Sequence, residues 1–486
     1  MIERLLIFGV TGDLVGRFLL PGLAELYDEG KLPDGFRVVG TARENWDDET
    51  FRHHAARQLE QHAAADVSAA SREVLVRSLR YRKIDFDDEG SVAEAVAAAS
   101  DESRAGAPAE PIAAYLALPA AVFPAAVSAL GAVGLPSGSR IVLEKPFGED
   151  LKTAMELNQL LARVAGVAGE QAVFRVDHAL GMATVQNLLV ARLANRVLEP
   201  VWNGTHIEQV DIIWDETLAL EGRASYYDKT GALKDVIQNH LLQILCLLAM
   251  EPPISLGERD FRDRKLDVLR AVRPLTAADV ALRTRRARYT AGKLASTGGA
   301  DGRIVPDYVE EDGIDPQSNT ETFAEVVLEL ESWRWAGTRF LLRTGKALAS
   351  RRKEAVVRFR PVPSLPFGYD AEPTVNELRI GLDGPYGLTL RLTGRTTGPP
   401  SHLAPLVLDA ELSVPELPAY SRVLMDVLDG NSTLSIRGDE AEEAWRVLTP
   451  VLQAWADDRV PLREYQAGSA GLPPLHDAAN RSEDAR

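Results

Sequence analysis

Three segments in the middle of the chain hold the residue types that a hydride-transfer site needs. They are Glu144-Lys145-Pro146-Phe147-Gly148, Arg175-Val176-Asp177-His178-Ala179-Leu180-Gly181 and Lys234-Asp235-Val236-Ile237-Gln238-Asn239-His240. Oxidising an alcohol or hemiacetal needs a base that takes the hydroxyl proton while hydride leaves carbon, and histidine suits this near neutral pH. A carboxylate bonded to the imidazole holds one tautomer and stabilises its cation. Two histidines and two aspartates are available, and the residues alone leave open which pairs with which. Asp235 and His240 are five apart, so on an α-helix they do not face each other directly. A single helical histidine is commonly structural, and Lys145 reads equally well as a surface lysine ending a strand.

A second chemistry sits at the start of the chain. The apolar run Leu5-Leu6-Ile7-Phe8 leads into Gly9-Val10-Thr11-Gly12-Asp13-Leu14. Glycines after a first strand let the backbone approach a pyrophosphate, and the following helix offers N–H groups to its charge. The spacing is Gly-x-x-Gly rather than the full dinucleotide fingerprint, so an ordinary strand–turn–helix is the plain alternative. At the end of the next strand-like run comes Val39-Gly40-Thr41-Ala42-Arg43-Glu44. An arginine there accepts the 2′-phosphate of NADP, whereas an acidic residue binds the ribose hydroxyls of NAD. Arg43 therefore favours NADP, and Glu44 pulls the other way.

These residues need elements to position them. Over the first 175 or so residues, strand-like runs at Arg4–Phe8, 36–41, 79–84, 113–118 and Arg140–Glu144 alternate with Ala- and Leu-rich helical stretches such as 18–29. That rhythm predicts a parallel, doubly wound sheet. After about residue 206 the pattern alternates in period two, with Val210, Ile212 and Trp214 on one face. The runs 206–215, 323–330, 355–359, 378–382 and 388–392 predict half-buried strands, mostly antiparallel. Helices are expected over 183–196 and 233–249. The expected organisation is α/β plus α+β: a Rossmann-type nucleotide domain over 1–177, a larger α+β domain over 178–465, and a flexible tail over 466–486. Residues 293–315 read as a loop.

Composition narrows the classes. The net charge of −17 disfavours nucleic acid, which calls for the opposite sign. Cys246 is the one cysteine, so no internal disulfide can form, and a reducing, cytoplasmic setting fits. The longest strongly apolar run, Leu241 to Met250, is too short to span a bilayer. No Cys/His cluster has metal-ligand spacing, so no metal is expected.

The loop GVTGDL, the run YLALP (Tyr115–Pro119), RIVLEKPFG, RVDHALG, VQNLLVARLANR, EGRASYYD, KDVIQNHLLQ and RTGKAL follow one another in the order found in the glucose-6-phosphate dehydrogenase family. The chain resembles that family over roughly residues 1–465. The resemblance implies NADP-linked oxidation of glucose 6-phosphate at C1 to the 6-phospho-lactone. It implies His240 as the general base and Asp177 as its partner. Gly9, Thr11, Gly12, Asp13, Leu14 and Arg43 would hold NADP, and Lys145 would lie between nicotinamide and sugar. A cis peptide before Pro146 is implied as well. Glu216 and Asp235 match residues that bond sugar hydroxyls, Lys346 and Arg351 match pocket cations, and His178 matches a residue at the 6-phosphate. A homodimer or homotetramer, built through the second domain's sheet, is the implied assembly.

Three positions depart from the family pattern. Ala179 and Met182 stand where the family has a tyrosine and a lysine at the substrate phosphate, and Phe18 replaces a lysine after the nucleotide loop. A charged hydrogen bond contributes roughly 1.5–3 kcal/mol. Losing the first two would weaken phosphate binding by about 2–5 kcal/mol unless other groups compensate. The basic run Arg343, Lys346, Arg351, Arg352 and Lys353 is one source of compensation. The alternative is a dehydrogenase of the same type acting on a different or unphosphorylated sugar.

Overall fold

The computed structural model describes residues 1–486 except 101–108, 296–301, 365–374, 384–386, 396–402, 413–416, 474 and 476–486. The chain divides into two compact units. The first comprises Met1–Ala183, Pro253–Asp263 and Pro415–Glu442, and the second Thr184–Pro252, Arg264–Val414 and Glu443–Arg486.

In the first unit, β1 (Arg4–Phe8), β2 (Arg37–Ala42), β3 (Leu79–Lys83), β4 (Ala113–Leu116), β5 (Arg140–Glu144) and β6 (Val173–Val176) form one sheet. All pairs are parallel and the order is β3-β2-β1-β4-β5-β6. The order reverses between β1 and β4, the crevice where open α/β sheets bind ligands. β1, β2, β4, β5 and β6 are almost wholly buried, which is why they read as mainly apolar runs rather than alternating ones, whereas the edge strand β3 alternates. The sixth strand was not expected. It follows helix Leu151–Ala165 and a short irregular helical stretch that hides its start.

The segment 415–442 returns to this unit. Its helix Ala419–Asp429 ends at Gly430 with φ 83°, the left-handed cap that glycine adopts without strain. A Cβ there would lie 2.5 Å from the Arg140 guanidinium. Arg140 donates to the Leu428 carbonyl at 2.7 Å, and Ile436 N donates to the Arg175 carbonyl at 3.0 Å.

The second unit holds a nine-stranded sheet. Its strands are β7 (Ile207–Asp215), β8 (Thr284–Thr290), β11 (Phe323–Glu329), β12 (Arg339–Gly345), β13 (Arg352–Phe359), β14 (Glu377–Gly381), β15 (Gly387–Arg395), β16 (Leu403–Glu411) and β17 (Leu462–Gln466). The order is β16-β15-β14-β13-β7-β12-β11-β8-β17, antiparallel except for β7–β12 and β8–β17. Part of the expected loop is a hairpin of β9 (Gly292–Leu294) and β10 (Arg303–Val305). Of the expected tail 466–486, residues 474 and 476–486 lie outside the described residues. Ala467 is buried, and Arg343 donates to the carbonyls of Ala470 and Leu472. Among the described residues no helix is long and apolar enough to cross a membrane.

One buried pair crosses the first sheet. The Tyr115 hydroxyl on β4 donates to Glu144 Oε1 on β5 at 2.5 Å. Burial pushes the Glu144 carboxyl up to about 7, opposed by Tyr115 and Lys145 and reinforced by Asp177. The folded chain therefore keeps this proton where the unfolded chain has lost it, and stability falls as pH rises from about 4.5 to about 7. Glu144→Gln is expected to flatten the loss of stability between about pH 4.5 and 7, worth up to about 3 kcal/mol. Thermal melts of both proteins across that range measure it, and parallel curves would remove Glu144 as the source.

Candidate active site

The nucleotide loop is braced from below. Gly9 N and Val10 N donate to the Thr41 carbonyl on β2 at 2.7 and 3.1 Å, and Gly12 N donates to the Gly9 carbonyl at 3.0 Å. Gly9 has φ 88°, and a Cβ would meet the Ala117 carbonyl oxygen at 2.4 Å, so only glycine fits this turn. Asp13 and Leu14 open the helix, whose wide turn Val15–Leu19 runs into Leu20–Asp28. A helix start at a switch point, with N–H groups lacking intrahelical partners, fits a dinucleotide pyrophosphate. Arg43 is exposed just beyond β2, where a ribose 2′-phosphate would reach it. The residues present therefore fit NADP.

Lys145 follows β5, half-buried, and its peptide bond to Pro146 is cis. Asp177 follows β6, and its Oδ1 accepts from Ala179 N at 2.9 Å, capping a single turn over His178–Gly181. His178 stacks on Tyr420, with ring centroids 5.3 Å apart and planes at 18°. Its Nδ1 lies 3.4 Å from the Tyr420 hydroxyl. Phe18 stacks on the same tyrosine at 4.9 Å. Tyr420 was missed in the sequence, because nothing at position 420 signals that its helix returns to the nucleotide domain.

The second unit gathers Glu216, Asp235, His240 and Lys346. Residues Leu233–Leu241 form a wide helix with π-type hydrogen bonding. Residues five apart are one turn apart in such a helix, so Asp235 and His240 come onto one side, unlike on the α-helix assumed from spacing. The helix starts on a buried carboxylate. Leu233 N donates to Glu321 Oε1 at 2.9 Å, and a Cβ at Gly231 would lie 2.5 Å from that oxygen. Burial pushes the Glu321 carboxyl up to about 7, against the pull of Leu233 N and the nearby Arg286 and Lys234.

Glu216 sits just past β7 and Lys346 just past β12, and Lys346 Nζ meets Glu216 Oε2 at 2.7 Å. Burial pushes the Glu216 carboxyl up, but Lys346 and Lys353 outweigh it and hold the group below the ordinary glutamate range. Asp235 accepts from the Tyr226 hydroxyl at 3.3 Å. His240 is buried and stacks on Trp214 at 5.3 Å.

The basic run 343–353 splits three ways. Arg343 turns to Asp215 at 3.0 Å, and Arg352 pairs with Glu354. Arg351 is 53% exposed and pairs with Asp383. Lys353 lies directly across the ladder from Trp214, with its ammonium 4.0 Å from the indole centroid and 3.1 Å from Asp383. Among the described residues, Lys346 and Lys353 are thus the two cations that act on Glu216. The sequence showed Trp214 as a strand-face residue and Lys353 as one of a basic run, but not that the strand register pairs them.

Against known proteins, residues 6–187 match the family model for the glucose-6-phosphate dehydrogenase NAD binding domain, and residues 189–485 match that for the C-terminal domain. The chain is 40% identical over 473 residues to a glucose-6-phosphate 1-dehydrogenase of Mycolicibacterium smegmatis, covering 96% of this chain and 93% of that one. A Rhizobium meliloti protein of the same name is 38% identical, at the same coverage. A solved glucose-6-phosphate dehydrogenase in complex with its substrate glucose-6-phosphate superposes with TM-score 0.85 at 30% identity, covering 97% of this chain and 96% of that one. The Mycobacterium avium enzyme gives 0.83, also at 30% identity, covering 98% of this chain and 96% of that one. With the two family models together matching residues 6–187 and 189–485 and these relatives alike over nearly their whole length, the chain belongs to the glucose-6-phosphate dehydrogenase family.

Proposed function

We propose that this chain oxidises glucose 6-phosphate at C1 to the 6-phospho-lactone with NADP. The carrying observation is the grouping of a buried histidine, two carboxylates and a lysine on adjoining elements of the second unit, in a chain of this family. His240 takes the C1 hydroxyl proton as the C1 hydride departs. Asp177, in the pairing that the family resemblance implies, stabilises the resulting imidazolium. Glu216, Asp235 and Lys346 hold sugar hydroxyls, so the C1–H bond is aimed before the chemistry begins. Lys145 lies between sugar and nicotinamide, and His178 meets the 6-phosphate, with Arg351 as an outer cation. NADP supplies the hydride acceptor. Gly9, Thr11, Gly12, Asp13 and Leu14 wrap its pyrophosphate, and Arg43 meets its 2′-phosphate. In this reading residues 1–177 bind the nucleotide and 178–465 bind the sugar and a second copy of the chain, as a homodimer or homotetramer in the cytoplasm.

A second reading has its own observation. Ala179 is buried and offers no hydroxyl, and Phe18 puts an arene against Tyr420 where the family has an ammonium. A dehydrogenase of the same type acting on another or an unphosphorylated sugar fits those positions. NADP reduction followed by absorbance decides. Glucose 6-phosphate is expected to exceed glucose in kcat/KM by at least about 100-fold, the worth of two retained anion contacts. Equal values would select the second reading. His240→Asn is expected to lower kcat by about 10²- to 10⁴-fold, the usual contribution of a positioned base, with NADP binding kept. Near-normal turnover would overturn the assignment of the base.

A further inference from the structure

The indole of Trp214 carries two contacts that the proposed reaction does not yet use. The His240 ring lies against it with centroids 5.3 Å apart and planes 21° from parallel. The Lys353 ammonium sits 4.0 Å from the same indole's centroid. Trp214 is 4% exposed, and Lys353 is its direct partner across the β7–β13 ladder. Asp383 holds the ammonium at 3.1 Å, so the cation cannot swing away without losing its counter-ion. Burial pushes the Lys353 ammonium down, while Asp383 and Glu216 oppose the shift.

An aromatic pair of this kind contributes roughly 0.5–1.5 kcal/mol beyond area, and a desolvated cation on an indole face contributes of the same order. The two contacts fix three things together: the plane of the imidazole, the plane of the indole and the position of a charge beside Glu216. We propose that Trp214 is a positioning residue for His240, its indole setting the plane of the imidazole and Lys353 locking the indole. This rests on the reading of His240 as the base. The charged groups around the column are Asp235 on the histidine's own helix, Glu216 and Lys346 at the ends of β7 and β12, Lys353 with Asp383, and Asp177 in the pairing proposed above.

The first test needs no turnover. Removing the ring stacked on a buried indole changes that indole's surroundings, so near-UV circular dichroism of the full-length enzyme is recorded at one fixed pH. His240→Asn is expected to alter the indole band, and to leave the spectrum unaltered when introduced into a Trp214→Phe background. An indole band unchanged by His240→Asn would overturn the contact. The second test is kinetic. Trp214→Leu is expected to lower kcat up to about tenfold with sugar KM within about twofold, and Trp214→Phe, which keeps a flat ring, to recover most of it. Lys353→Met is expected to fall between them, because the indole stays but is no longer locked. Wild-type kcat in Trp214→Leu, equal losses in the Leu and Phe variants, or a loss confined to KM would overturn the role. Turnover persisting in His240→Asn would instead discard the base assignment, leaving the dichroism result as the separate record of the stack.

Discussion

The second unit's site depends on one ion pair, Lys346 Nζ to Glu216 Oε2 at 2.7 Å. A carboxylate removed from water is costly unless a cation goes with it. Here the cation arrives from a segment 130 residues away, and strand pairing brings it. β7 and β12 run parallel and in register to Asp215↔Gly345, so both chains leave the sheet at the same end. Glu216 N then donates to the Gly345 carbonyl and Leu348 N to the Glu216 carbonyl. Ala347 accepts a left-handed φ of 51° in that turn, a conformation held by the bonds on either side of it. An antiparallel neighbour at this place would have put residues 339 and 215 together, and the acid and base would not have met.

The same sheet explains why a basic run is not a basic patch. Alternate residues of a strand face opposite sides. Arg352, Glu354 and Arg358 lie on one side of β13, where Arg358 meets Asp211 at 2.8 Å and Glu377 at 3.0 Å, and Arg379 continues the chain of charges to Glu354. Arg343 joins that face through Asp215. Lys353 points the other way, toward Trp214. Of five neighbouring cations, those on the charged face are consumed in structure because each sits opposite an acid whose burial requires it.

What the sequence disclosed follows from which signals are local. The parallel strands Arg4–Phe8 and Arg140–Glu144 were legible to the residue, because a strand buried on both faces is an unbroken apolar run between turns. β8, β12, β16 and β17 were not. β8 and β12 carry arginines that find acids on neighbouring strands, so their patterns read as polar until the partners are known. The first strand–turn–helix and the helix that carries His240 were readable from pattern and spacing. The π-type widening that turns Asp235 and His240 to one side was not, and neither was the bond from Leu233 N to Glu321, 88 residues away, at which that helix starts. Nor did any local pattern announce that residues 419–429 return to the first unit and lay Tyr420 on His178.

That return bears on the three departures from the family pattern. Phe18, Tyr420 and His178 form one stack, and an arene offers no donor to a phosphate. What Phe18 contributes is restraint: it holds Tyr420, and Tyr420 holds His178. A side chain ordered in advance loses less freedom when an anion binds, a saving of roughly 0.5–1.5 kcal/mol. A missing charged hydrogen bond forfeits roughly 1.5–3 kcal/mol, so restraint offsets part of one lost contact and a smaller part of two. Lys346 and Lys353 are already committed to Glu216 and Asp383. A cation so paired is a weaker ligand for any further anion, because each new contact must be shared with the carboxylate that already holds it.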